Sequence, residues 1–450
     1  MMRAMIRAVM RLSLPLLTVL SLLSCHVRLN AQESQEVSMH TRKEKGSLQL
    51  SGLKSKPGSM ALPYYYYRRG PVARPTIFFL SGGPGQSNLG WTPPESWLQD
   101  FDVVLLEYRG VGRSSITLKS SHFRRAILTP VARMALSETS AISELIGNGF
   151  ADLQGQGIDL NEFAVTELAD DIERLRNQLG LPEIYLVGHS FGTRVALWYQ
   201  TRYRQYARAS VLFSLNTPGG FIWYPQDTKR VWQRYRDDKL QKNPAQAQTL
   251  NLVLDADTPR HDRFSFLKIN DTHALTVAFF LSFNAATRDR AFDAMAAASR
   301  GETGNWSLMA WSYQLIAYFG FNWADFFVKA YSADCDPHAI ALADAQANQS
   351  PFQSPSSILF SGCAGFSAAG GTSSPSNFVP DYQKTLAIVG EFDPSTPIER
   401  KPAGLPDARF VVIGNAGHAD VLYADPAGSA RWLRSFFLGA NDSTISSFDY

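Results

Sequence analysis

The stretch "IYLVGHSFGTRVALWY" (residues 184–199) places a serine between two glycines at the end of an apolar run. Residues 184–187 have the composition of a short buried strand, and residues 193–199 that of the start of a helix. The five residues between them fit G-x-S-x-G, a pattern that exposes its serine as a nucleophile in a strand-to-helix turn. A glycine turn with an ordinary hydroxyl fits them equally, so the rest of the chain has to decide.

Strand-like and helix-like segments alternate on both sides of this stretch. "SLQLSGLK" (47–54) and "MALPYYYYRRG" (60–70) predict an initial antiparallel hairpin. Residues 165–183 have apolar positions at helical spacing. Further strands are predicted within residues 75–87, 101–115, 209–216, 384–397 and 408–420. This alternation predicts an α/β fold with a mostly parallel central sheet and helices on both faces.

The middle of the chain interrupts the alternation. Residues 217–375 are dominated by aromatic-rich, helix-like stretches, most clearly 275–283 and 307–331. We therefore divide the chain into a first core part (45–216), a helical cap (217–375) inserted after the sixth strand, and a second core part (376–450). The cap is expected over the carboxyl edge of the sheet, where open α/β sheets place their sites.

A serine hydroxyl becomes a good nucleophile only beside a base that an acid orients. Of the eight histidines, His418 alone follows a strong terminal strand, in "GNAGHAD", and Asp393 follows the strand before it. The chain order Ser190, Asp393, His418 is the order of an α/β-hydrolase triad. His189 lies next to the serine in the turn, and its side chain is expected to point away from it.

Acyl transfer also needs donors for the developing oxyanion. In a fold of this kind they are the backbone amide after the nucleophile, here Phe191, and one amide from the loop after the third strand. The sequence "SGGPGQS" (81–87) occupies that loop, and its glycines allow the backbone to approach closely. The loop is therefore predicted to complete the oxyanion hole.

Several segments together resemble the prolyl iminopeptidase and tripeptidyl-aminopeptidase branch of the α/β-hydrolases, over roughly residues 60–440: "LSGGPGQS", "EYRGVGRSS", "VGHSFGTRVALWY", "GEFDPSTP" and "GNAGH". The resemblance implies Ser190 as nucleophile, Asp393 as acid and His418 as base. It also implies that the amides of Gly83 and Phe191 form the oxyanion hole. An α/β-hydrolase fold follows from the same resemblance.

Two positions depart from the family pattern. Ser81 stands where iminopeptidases usually have the histidine of H-G-G-P-G, and Glu107 replaces the aspartate usual before R-G-x-G. These changes leave the triad intact, but they weaken the inference that this chain shares the family's preference for proline. The sequence "SFGT" (190–193), which begins at the serine, favours the tripeptidyl-aminopeptidase members of this branch.

Two enzymatic functions follow from these residues. The first is a serine aminopeptidase that releases N-terminal residues or short peptides through an acyl-enzyme. A free N-terminus is positively charged, so the cap should offer carboxylates near the pocket; spacing singles out none of Asp227, Asp255, Asp257, Glu302, Asp325, Asp334 and Asp336. The alternative is an esterase or amidase that acts on small apolar acyl substrates with the same triad. A binding protein on a hydrolase scaffold is disfavoured by the complete triad.

The charge and the metal-ligand types exclude other classes. The formal net charge of +3 includes Arg3, Arg7 and Arg11, which leaves the rest of the chain near neutral and without the basic face of a nucleic-acid binder. A metal site on Cys335 and His338 lacks a second ligand cluster. We expect no nucleic acid, no metal and no cofactor.

The first 31 residues predict export. Arginines precede the short apolar run "LSLPLLTVLSLLS" (12–24), as in a signal segment. Cleavage before Cys25 in "LLSC" would give a membrane-anchored lipoprotein with a lipidated Cys25, and cleavage after Ala31 a soluble periplasmic or extracellular protein. In an exported chain the two remaining cysteines, Cys335 and Cys363, are predicted to form a disulfide.

Overall fold

The computed structural model describes residues 41–242, 244, 271–347, 353–373 and 379–439. The predicted export segment with Cys25 and Ala31 lies outside these residues, and so do Asp255 and Asp257. Among the described residues, no helix has both the length and the apolar character required to cross a bilayer.

The centre of the protein is one eight-stranded sheet. Its strands run in the order β1-β2-β4-β3-β5-β6-β7-β8. The pairs β1·β2 and β2·β4 are antiparallel, and all the others are parallel. The strands are β1 Thr41–Ser51, β2 Ser59–Arg69, β3 Thr76–Leu80, β4 Asp102–Leu106, β5 Ile184–His189, β6 Ala207–Phe213, β7 Thr385–Gly390 and β8 Phe410–Ile413. The mostly parallel sheet and the initial hairpin are therefore confirmed.

Helices cover both faces of the sheet. The helices of the first core part are α1 Glu95–Leu98, α2 Ser121–Leu128, α3 Ser140–Gly155, α4 Val165–Gln178 and α5 Phe191–Arg202. Those between β6 and β7 are α6 Pro225–Lys242, α7 Asp271–Leu281, α8 Ala285–Ser299, α9 Gly304–Phe319, α10 Trp323–Asp334, α11 Pro337–Ala347, α12 Pro355–Leu359 and α13 Cys363–Ala368. The chain ends with α14 Asp420–Tyr423 and α15 Pro426–Leu438.

Strand β3 illustrates how the sequence builds the two-sided core. All five of its residues are buried, as expected for a parallel strand with both faces covered. Ile77 and Phe79 pack into a cluster that contains the aromatic side chains of α1 and α15. Phe78 and Leu80 point the other way, into the larger cluster that includes α4, α5 and the cap. The period-two alternation of the strand thus divides its residues between two cores.

The cap consists of α6 to α13, and its described elements are helical. The aromatic stretch 307–331 is not one helix but parts of two, α9 and α10, which separate around Gly320. The Asn322 side chain accepts from the Asp325 amide at the start of α10, and the Asn322 amide donates to the carbonyl of Gly85. The break therefore sets α10 against the glycine-rich loop that follows β3.

Candidate active site

Ser190 occupies the single-residue turn between β5 and α5. Its backbone has φ 52° and ψ −118°, a conformation that is costly for a residue with a side chain. The Ser190 amide donates to the carbonyl of Phe213 in the neighbouring strand β6, at 2.9 Å. Strand pairing on one side and the start of a helix on the other therefore hold the turn in the shape that a nucleophile elbow requires.

Close backbone approach explains the glycines around this turn. A Cβ at Gly192 would lie 1.9 Å from the carbonyl oxygen of Leu80, so only glycine allows the end of β3 to meet the start of α5. A Cβ at Gly82 would lie 2.8 Å from the Cβ of Ser190. The loop after β3 is therefore packed directly against the serine.

The three predicted triad residues meet at the carboxyl edge of the sheet. His418 Nε2 lies 2.8 Å from Ser190 Oγ, and His418 Nδ1 lies 2.7 Å from Asp393 Oδ2. An ionised Asp393 can only accept, so Nδ1 carries the proton it donates and Nε2 is left to accept from the serine hydroxyl. This arrangement can remove the serine proton and stabilise the imidazolium that results.

Asp393 is fully buried, yet it is held in its charged form. Its Oδ1 accepts from the amides of Ser395 (2.8 Å) and Thr396 (3.0 Å), and its Oδ2 accepts from the Thr396 hydroxyl as well as from His418. Burial alone would raise the pKa of Asp393. The charge and hydrogen bond of His418, together with the bonds from Thr396, outweigh it and hold the pKa below its ordinary value.

Two residues outside the predicted triad hold the backbone at His418: His189, which the sequence interpretation had considered only as a structural residue of the turn, and Ser214. His189 Nε2 donates to the backbone carbonyl of His418 at 3.0 Å, and the Ser214 hydroxyl donates to the same oxygen at 2.7 Å. His189 also lies at the pocket wall. Its position at the end of β5, one residue before the nucleophile, is the signal from which this role could have been inferred.

The predicted oxyanion residues lie on either side of Ser190. Gly83, with φ +79°, lines the pocket beside Gly82 and the serine. Phe191 is the first residue of α5, so no residue of its own helix accepts from its amide. Both positions suit the predicted donors, and their role in catalysis belongs to the proposal below.

Glu107, one of the departures from the family pattern, holds the glycine-rich loop. Its carboxylate accepts one hydroxyl and three backbone amides, those of Ser87, Asn88, Tyr108 and Arg113. The Asn88 side chain in turn accepts from the amide of Ser81, the other departure. The loop that faces Ser190 is therefore fixed by a dense set of hydrogen bonds.

The triad opens into a cavity of about 190 Å³ between the core and the cap. Aromatic cap residues form much of its wall, among them Trp223, Phe280, Phe283, Phe321 and Phe326. No Asp, Glu, Lys or Arg of the described ranges lines it. The volume of the cavity far exceeds the roughly 10–15 Å³ that one water molecule needs, so the cavity has room for a small-molecule substrate.

Five of the seven cap carboxylates considered for amine binding lie in the described residues, and these five have other partners. The contacts of the five described ones are Asp227 with Arg230 and Arg400, Glu302 with Arg300, Asp325 with Lys329 and the Gly85 amide, Asp334 with Arg194, and Asp336 with the amides of His338 and Ala339. None of the five lines the cavity.

Cys335 and Cys363 lie at the end of α10 and the start of α13. The structure places their sulfur atoms at bonding distance, with the Cα atoms 5.8 Å apart. Within the part of the chain that the structure describes, no group of three or more His, Cys, Asp or Glu is arranged to hold a metal ion.

A triad at the carboxyl edge of a mostly parallel sheet, beneath a helical cap, defines the class of α/β-type hydrolases. The chain belongs to the alpha/beta hydrolase fold family, whose sequence model matches residues 75–425. The specific peptidase branch suggested by the sequence motifs is a finer assignment than this family.

Two relatives of this chain are described as hydrolases. It is 27% identical over 144 residues to the hydrolase YuaR of Escherichia coli (strain K12), a match that spans 30% of this chain and 27% of the relative. It is also 27% identical over 153 residues to the carbamate hydrolase RutD of Caulobacter sp. (strain K31), a match that spans 33% of this chain and 54% of the relative. The chain thus covers about a quarter and about half of these two relatives.

Solved structures of similar fold include an esterase of Thermogutta terrifontis, with 16% identity and a TM-score of 0.37. A proline iminopeptidase-related protein of Thermus thermophilus has 16% identity and a TM-score of 0.34. Each comparison covers 88% of this chain and 98% of the other. Similarity at this level does not distinguish one substrate class from another.

Proposed function

We propose that the protein is a serine hydrolase that transfers a small, uncharged, apolar acyl group to Ser190 and then to water. The observation that carries this proposal is the hydrogen-bonded series Ser190–His418–Asp393 at the floor of an apolar cavity. Esters, and amides of the same acyl groups, are the substrates that such a cavity favours.

The proposed reaction has two halves, acylation of Ser190 and hydrolysis of the acyl-enzyme, and His418 acts as base and then as acid in each. Ser190 Oγ attacks the acyl carbon while its proton passes to His418 Nε2, and the amides of Gly83 and Phe191 receive the oxyanion. His418 then protonates the leaving alcohol or amine, and Asp393 stabilises the imidazolium meanwhile. A water molecule, deprotonated by His418, then attacks the acyl carbon, and His418 passes this proton to Ser190 Oγ as the acyl–oxygen bond breaks and the acid leaves.

The proposal favours an uncharged substrate because no Asp, Glu, Lys or Arg is present in the described pocket wall. An aminopeptidase must hold an ammonium group close to the scissile bond, and burying that charge without a partner is costly. The wall offers aromatic rings and a few neutral polar groups instead, such as Gln86 and Ser395. This composition supports the esterase or amidase function over the aminopeptidase function.

A pair of isosteric substrates tests the choice. The p-nitrophenyl esters of isobutyric acid and of L-alanine differ in one group, a methyl in the first and an ammonium in the second, and the matching anilides extend the test to amides. We expect kcat/KM, corrected for uncatalysed hydrolysis, to favour the isobutyryl group by roughly tenfold or more because of the unpaired charge. A requirement for the free amine would instead establish the aminopeptidase function. Ser190→Ala serves as the control for contaminating esterases.

A further inference from the structure

The loop that carries His418 lies between the core and the cap. We call residues 414–419, between β8 and α14, the base loop, and residues 282–284, between α7 and α8, the cap turn. The core side of the base loop is held by His189 and Ser214, which both donate to the carbonyl oxygen of His418. The opposite side contacts the cap turn, and these contacts are independent of the triad hydrogen bonds.

The base loop and the cap turn are in direct backbone contact. The Ala419 amide donates to the carbonyl of Phe283 at 2.8 Å. A Cβ at Gly417 would lie 2.6 Å from the same carbonyl oxygen, so the two segments leave no space for a side chain there. The Phe283 ring lies 4.5 Å from the imidazole of His418, centroid to centroid, and also lines the substrate cavity.

Asp420 joins the two segments through its carboxylate. Its Oδ2 accepts from the Gly417 amide in the base loop (2.7 Å) and from the Ala285 amide at the start of α8 (2.8 Å). Its Oδ1 accepts from Asn284 Nδ2 in the cap turn at 2.8 Å. The side chain is 7% exposed, so these are interactions in a largely water-free environment.

Arg288 of α8 makes a second connection. Its Nη2 donates to the backbone carbonyl (3.0 Å) and the side-chain oxygen (2.7 Å) of Asn415, a base-loop residue with φ +55°. Burial lowers the pKa of Arg288 to about 10, which leaves it charged at neutral pH. The cap therefore contacts the base loop at both of its ends.

We propose that Asp420 is a positioning residue, which aligns His418 with Ser190 by fastening the base loop to the cap turn. This inference rests on the proposed function, since it assigns His418 the role of base. It implies that the cap contributes to turnover as well as to binding, because the segment that lines the pocket at Phe283 also holds the base. A shift of the imidazole by about 1 Å can cost on the order of 100-fold in rate.

Exchanging the two side-chain types tests the pairing directly. In Asp420→Asn, the side-chain oxygen can still accept from the amides of Gly417 and Ala285. The new NH₂ group then faces the NH₂ group of Asn284, and two donors oppose each other. In Asn284→Asp, two carboxylates face each other, while the new Asp still caps α8 through the Ala286 amide that Asn284 now holds. The double variant restores one donor opposite one acceptor.

We expect each single variant to lower kcat for p-nitrophenyl isobutyrate by roughly 10- to 100-fold with KM changed less than about threefold, and the double variant to recover most of the loss. Asp344→Asn is the matched control, because Asp344 accepts from the Leu136 amide across a different cap–core contact. It should leave kcat unchanged. Wild-type kcat in Asp420→Asn, or additive losses in the double variant, would overturn the inference.

Failure of the proposed function would be seen in the wild-type protein itself, as the absence of hydrolysis and of fluorophosphonate labelling at Ser190.

Discussion

The reactivity assigned to Ser190 depends on two hydrogen bonds in series and on a backbone conformation that the side chain does not favour. The G-x-S-x-G pattern singled out Ser190, and positions after strands singled out Asp393 and His418. The structure brings the three together because strand ends in a parallel sheet converge on one edge, and their catalytic roles stay predictions. The sequence could not single out Asp420, whose cap partners Asn284 and Ala285 lie 136 and 135 residues away in the chain. Contacts of that kind leave no periodic pattern in the sequence.

At the scale of single residues, the triad predicts a graded set of losses. Ser190→Ala should reduce hydrolysis by on the order of 10⁶-fold without unfolding the protein, because the triad acts as a unit. His418→Ala should be similarly impaired, and Asp393→Asn somewhat less, because Asp393 orients and stabilises without transferring the proton. Steady-state kcat with circular dichroism on each variant checks this. Stoichiometric fluorophosphonate labelling of a serine other than Ser190 would contradict it.

Asp393 also predicts a pH dependence of stability. Its pKa is lower in the folded protein than the ordinary value of 3.8, so its charged form stabilises the fold. This contribution is fully present above 3.8 and is lost as the pH falls through the lower, folded-state pKa. The difference in unfolding free energy between the wild type and Asp393→Asn should therefore shrink when urea titrations are taken from neutral pH to about pH 3. If this difference in unfolding free energy stayed constant over the range, the charge of Asp393 would not be its cause.

At the scale of elements, the strands were predictable and several helices were not. Predominantly apolar runs such as β3 and β7 identify buried parallel strands. Helix α2 has only eight residues, too few turns for its periodicity to stand out. The division of 307–331 into α9 and α10 depends on tertiary contact, since Asn322 is held by the Gly85 carbonyl.

A buried ion pair in α10 predicts that substitution of its lysine strongly destabilises the protein. Asp325 and Lys329 form an ion pair at 0% exposure, and they also bond to the Gly85 amide and the Arg109 carbonyl. Lys329→Met leaves a buried carboxylate without its cation and should cost about 3–5 kcal/mol of unfolding free energy. Lys239→Met is the matched control: its pair with Asp289 is partly exposed, and about 1 kcal/mol or less is expected. Equal effects of the two substitutions in denaturant titrations would contradict this assignment.

At the scale of the whole molecule, the site is assembled from segments far apart in the chain. Ser190 comes from the first core part, Asp393 and His418 from the second, and most of the described pocket wall from the cap between them. The fold class and the triad were therefore accessible to sequence interpretation, because each depends on one short segment and on chain order. The lack of Asp, Glu, Lys and Arg in the described pocket wall was not accessible, since a carboxylate such as Asp325 looks the same in sequence whether it faces a substrate or, as here, a lysine.

The cysteine pair predicts how the cap is stabilised. A disulfide between Cys335 and Cys363 would close a loop with a sequence separation of 28, tying α10 to α13 within the cap. In the chain-entropy model this contributes about 3–4 kcal/mol to the unfolding free energy. The double variant Cys335→Ser, Cys363→Ser should lose that amount and become insensitive to reductant, whereas Cys25→Ser should change neither property. A disulfide persists in an oxidising compartment, and the export predicted from residues 1–31 would deliver the chain to one. Mass mapping of a non-reduced digest checks the pairing, and two free thiols in the exported protein would mean that the cap is held by packing alone.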